Sequence, residues 1–109
     1  MRSLVIMIFV ALGVSAANAQ GTRDLPGNPD NGRALATRAC ANCHVVSGDQ
    51  GRSATDGVPT FASLARDPAI TVQRLQGFMQ SPHPPMPDLA LTRREIDDIA
   101  SYILSLRAP

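Results

Sequence analysis

The 109-residue chain has no tryptophan and no lysine, a single tyrosine, three phenylalanines and two cysteines. Each scarcity excludes something. All ten basic residues are arginines, set against nine carboxylates with no block of like charge, so the basic patch or stripe that nucleic acid requires is missing. A structural zinc site wants four Cys or His ligands, but the chain has only two cysteines and two histidines, and His83 lies about 40 residues beyond His44, away from the other three. No paired acid and base, nucleophile triad or phosphate-cradling loop is present, so the chain offers no machinery for substrate chemistry. Aromatic poverty matters most for the fold. Beyond the N-terminal region only Phe61, Phe78 and Tyr102 remain, few large side chains from which a small domain could build a core.

Long hydrophobic runs are also absent, with one exception at the start of the chain. Arg2 provides a short positive region, Leu4 to Val14 an apolar run of eleven residues, and Ala17-Asn18-Ala19 a small-x-small cleavage site. That order is a secretory signal. The run is too short to cross a bilayer core of about 30 Å, which takes about 20 helical residues. Residues 1–19 are therefore expected to be removed, leaving residues 20–109 as one domain with no membrane span. The loss of Arg2 balances nine arginines against nine carboxylates.

What the chain does have is Cys40-Ala41-Asn42-Cys43-His44. C-x-x-C-H is the attachment sequence of c-type haem. The two thiols form thioethers with the macrocycle, and the adjacent imidazole is presented to the iron. A Cys-x-x-Cys redox disulfide would need a βαβ context, and no alternating apolar strand pattern lies near the motif. One covalently held haem c also supplies the apolar mass that the scarce aromatics cannot. Attachment outside the cytoplasm fits the export signal and places the mature protein in the periplasm.

The rest of the chain reads as helices and loops. Residues 20–27 are polar and carry Gly and Pro, the signature of a loose leader. Asn28, Pro29 and Asp30 form an N-terminal helix signal, and Gly32, Ala36 and Cys40 fall on one face of small residues suited to close helix packing. Ser47 to Pro59 is a loop by composition, and Phe61 to Ala65 a short helical turn. Asp67 and Pro68 signal the start of another helix, on which Val72, Leu75, Phe78 and Met79 recur at helical spacing. The Ser81–Pro87 segment, with four prolines, must be irregular. Thr92 and Glu95 form a capping box ahead of the stripe Ile96, Ile99, Ala100, Ile103 and Leu104.

These elements, in this order, resemble a class I bacterial cytochrome c of the short, exported type, over about residues 30–106. The anchors are Gly32, the Cys40–His44 box, Val58-Pro59-Thr60-Phe61, Met86-Pro87 and a C-terminal helix bearing Tyr102. Where many relatives carry an aromatic residue beside the glycine, this chain has Leu35 and Ala36. The resemblance implies an all-α fold of three to five helices around the haem, with Gly32 and Ala36 packing near Ala100, Tyr102 or Ile103. It also implies that the Pro59 carbonyl accepts a hydrogen bond from His44 Nδ1.

Three residues compete for the second axial position. Met79 lies in register with Leu75 and Phe78, where a methionine is usually core. His83 is a serious rival, because imidazole is a common iron ligand. Met86 is favoured because Pro84, Pro85 and Pro87 stiffen the backbone around it and reduce the entropy lost on holding its thioether. His44 and Met86 together would raise the reduction potential and leave no site for oxygen or peroxide. Arg52, Arg66 and the Arg93–Arg94 pair are candidates for the haem propionates. The expected function is a one-electron carrier between redox protein partners, a donor and an acceptor. The alternatives are a cytochrome subunit of a periplasmic dehydrogenase, or a haem sensor or peroxidase-like protein with an open distal site.

Overall fold

In the computed structural model, which describes residues 24–51 and 55–107, four helices follow one another: α1 (Pro29–Ala39), α2 (Phe61–Arg66), α3 (Val72–Gln80) and α4 (Arg93–Ser105). The described residues contain no strand. The proposed signal, residues 1–19, lies outside them. Helix α4 is the organising element: α1, α2 and α3 each pack against it, and not against one another among the described residues.

Local chemistry explains where the helices begin. Asn28 caps α1, its Oδ1 accepting from the backbone N–H of Asp30 and Asn31 at 2.9 and 3.1 Å, with Pro29 following at the first helical position. Helix α4 starts at a complete capping box in which Thr92 Oγ1 accepts from Glu95 N–H, and Glu95 Oε2 accepts from Thr92 N–H. Its apolar stripe is buried as the spacing demands, with Ile96, Ile99, Ala100 and Ile103 at most 3% exposed.

The start of α3 differs from the sequence expectation. Asp67 ends α2 rather than opening α3, and its Oδ1 accepts from Ala69 N–H at 2.8 Å in a local turn. The true cap is Thr71, whose Oγ1 accepts from Arg74 N–H. Aspartate serves Asx turns and N-caps by the same hydrogen bond, so the local signal does not separate them. On α3 itself, Leu75 is buried and Val72 and Met79 half-buried, but Phe78 is exposed. It turns out to sit beneath the Arg74 guanidinium, 5.8 Å from the ring centroid.

The crossing of α1 over α4 is close at Gly32. A Cβ there would lie 1.9 Å from the Asp98 carbonyl oxygen and 2.8 Å from Tyr102 Cβ. The contact thus includes Tyr102, as expected, but is centred one turn earlier, at Asp98. Gly27 makes a second close approach, since a Cβ on it would lie 2.5 Å from Asp97 C. Its N–H donates to Ser101 Oγ at 2.8 Å, and Asn28 N–H donates to Asp98 Oδ1 at 2.7 Å. The expected loose leader is therefore docked on α4 by residue 27. Side chains of α4 satisfy backbone donors at the entrance to α1, which welds the two ends of the domain together.

Candidate functional site

The Cys40–His44 box follows α1 without a break. Cys40 N–H still donates to Ala36 O at 2.8 Å, and the N–H groups of Cys43 and His44 both return to Cys40 O, at 3.1 and 2.9 Å. This tight turn brings both thiols and the imidazole to one corner at the end of α1. Cys40 is half-buried against the core and Cys43 exposed. Burial pushes the Cys40 thiol up to about 11, so it carries its proton at neutral pH.

His44 Nδ1 lies 2.7 Å from the Pro59 carbonyl oxygen. A carbonyl only accepts, so Nδ1 bears the proton, and in the neutral ring Nε2 carries the lone pair that could serve a metal. The ring packs 5.5 Å from Phe61, whose own ring lies 6.2 Å from that of Tyr102. Phe61 begins α2 directly after Pro59 and Thr60. The element that holds the imidazole proton is thereby anchored in the core and, through Tyr102, to α4.

The segment after the box is bound from several sides. Thr55 N–H donates to Cys43 O at 3.0 Å and Phe61 N–H to Val45 O at 2.9 Å. Tyr102 Oη donates to Val46 O at 2.7 Å, and burial, the main influence, raises the phenol above its ordinary value. Gln50 Oε1 accepts from Val46 N–H at 2.9 Å, while its Nε2 donates to His44 O at 3.0 Å and Ala41 O at 3.3 Å. Sequence reasoning gave no role to Gln50, which stands in a stretch readable only as loop. It likewise missed Arg107, which donates to Ala65 O at 2.9 Å and Ile70 O at 2.5 Å and so ties the end of α4 to α2 and the turn before α3.

The three competitors for the second axial position occupy different surroundings. Met79 is partly buried against the core cluster. His83 is exposed, its ring set edge-on against Phe78 at 5.7 Å. Met86 is half-buried in the loop after α3, its N–H donating to His83 O at 2.7 Å across the cis Pro84–Pro85 bond. Of the arginines considered for propionates, Arg66, Arg93 and Arg94 are exposed, and Arg52 lies outside the described residues.

The polypeptide suits a haem by its own chemistry. One imidazole held on the Pro59 carbonyl and two thiols in the same turn make a donor set that a haem would fit. Half-covered apolar side chains at the border of the core, including Leu64, Met79 and Leu91, offer surface for such a group to cover.

Comparison with known proteins gives the same answer. The cytochrome c family model matches residues 29–107. Cytochrome c-552 of Bradyrhizobium diazoefficiens is 41% identical over 107 residues, covering 98% of this chain and 95% of the relative. No solved structure matches the chain. A match running from the first residue of α1 to Arg107, over a fold with the His44 turn at its corner, makes the chain a member of the cytochrome c family, electron carriers rather than enzymes.

Proposed function

We propose that this chain is an exported, monohaem c-type cytochrome that carries one electron at a time between redox protein partners in the periplasm. In this reading residues 1–19 are removed, Cys40 and Cys43 hold the haem as thioethers, and His44 and Met86 are the axial ligands. The observation that carries it is the 2.7 Å contact between His44 Nδ1 and the Pro59 carbonyl. It fixes the imidazole in the tautomer that a metal ligand needs, immediately beside the two thiols. The family itself implies haem c and redox partners, and among the described residues no helix is long and apolar enough to cross a membrane.

When bound, haem iron supplies a reversible one-electron couple, and a thioether ligand favours its ferrous state. The residues act on that couple by holding it still. Pro59 anchors the His44 proton, Phe61 supports the ring, and the proline-rich loop limits the excursions of Met86. His83, engaged edge-on with Phe78, is the less suited of the two loop ligands.

Carbon monoxide tests the ligand set and the carrier role together. Ferrous native protein should bind it slowly or not at all, and Met86→Ala should bind it rapidly while losing the methionine-to-ferric-iron charge-transfer band. His83→Ala and Met79→Ala should keep the native behaviour. Rapid binding by the native protein would favour a sensor or peroxidase-like role, and loss of the band in His83→Ala instead would reassign the ligand.

A further inference from the structure

We infer that Gln50 is a positioning residue for the axial imidazole, holding the main chain on both sides of His44 so that Nδ1 stays on the Pro59 carbonyl. The inference rests on the reading of His44 as an iron ligand. Its basis is one half-buried amide that closes three hydrogen bonds onto the haem-attachment segment. Nε2 donates to Ala41 O inside the box and to His44 O itself, and Oε1 accepts from Val46 N–H two residues on. Gln50 thus directs both ends of its amide at backbone groups of that turn, with two bonds donated by Nε2 and one accepted by Oε1.

The Val46 peptide completes the device. Its N–H goes to Gln50 and its carbonyl accepts from Tyr102 Oη at 2.7 Å, with Val46 itself 1% exposed. The main chain leaving His44 is therefore fixed to α4 at one end and to the loop at the other. Pro59 reaches the same histidine from a different direction, at the entrance to α2. An imidazole hydrogen-bonded at Nδ1 is a more basic ligand, and a more basic ligand favours ferric iron. Freeing the His44 backbone weakens that bond, so the potential must rise.

Haem-loaded mature protein carrying Gln50→Ala or Gln50→Leu separates hydrogen bonding from mere bulk, and Thr92→Ala, at the remote α4 cap, controls for general loss of stability. Low-spin, covalently attached haem in the native protein first establishes the ligand reading independently. Both Gln50 variants should then shift the ferrous-to-ferric equilibrium about threefold toward ferrous, an upward shift of about 28 mV at 59 mV per tenfold for one electron. They should also speed solvent exchange of the His44 Nδ1 proton, observed by NMR in the ferrous state, whereas Thr92→Ala should change neither. An unchanged potential and exchange rate in Gln50→Ala, recovery of native values in Gln50→Leu, or an equal shift in Thr92→Ala would each overturn the inference.

Discussion

Gly32 shows how a single missing side chain can set the geometry of a domain. The Asp98 carbonyl oxygen stands 1.9 Å from where a Cβ would lie, so Gly32→Ala must drive α1 away from α4. Overpacking of this kind typically costs about 1 to 3 kcal/mol. Gly77 is the contrast, for a Cβ there meets nothing within 4 Å, and Gly77→Ala should stabilise α3 by up to about 1 kcal/mol through helix propensity alone. Chemical denaturation of the two variants should therefore give midpoint shifts of opposite sign. The sequence made the small-residue face of α1 readable because Gly32 and Ala36 are one turn apart. It did not reveal Gln50 or Arg107, whose partners are backbone groups brought within reach by the fold and leave no periodic or compositional trace.

At the scale of elements, what was legible is what is settled within a few residues of sequence. The Asn28 cap and the Thr92–Glu95 box are local hydrogen-bond exchanges, and the structure contains both. Asp67 failed as a helix start because a turn used its carboxylate first. Phe78 shares the helical spacing of Leu75 yet is exposed, because apolar spacing on a short helix does not say which edge of the stripe meets α4. The α4 box also has a pH signature. Hydrogen bonds from the Thr92 backbone and hydroxyl hold the Glu95 carboxyl below its ordinary value. The unfolded chain then binds more protons through the titration range, so this contribution is present above the unfolded glutamate value and is lost as pH falls through the folded one. Thermal melts from about pH 7 to about pH 3 should show native protein more stable than Glu95→Gln at the upper end, with the difference disappearing on acidification. Thr92→Ala should cost about 1 kcal/mol at neutral pH. A pH-independent gap between native protein and Glu95→Gln would contradict the charged capping box.

Across the whole molecule, the division of labour follows from α4. It packs against α1, α2 and α3, satisfies donors at the entrance to α1 through Asp98 and Ser101, grips the chain after the box through Tyr102, and through Arg107 just past its end holds α2 and the turn before α3. The thiols and the imidazole stand at one corner, in the turn that follows α1. The all-helical class and the Cys40–His44 box could be read directly from sequence; the clamp around the box required the long-range contacts of α4. The central claim is that this corner holds a haem by covalent bonds in an exported protein. The mass of acid-denatured protein, purified from a host that matures c-type cytochromes, tests it most directly. The account predicts the mass of residues 20–109 plus one haem with no free thiol, and an unmodified polypeptide with two reactive cysteines would contradict it.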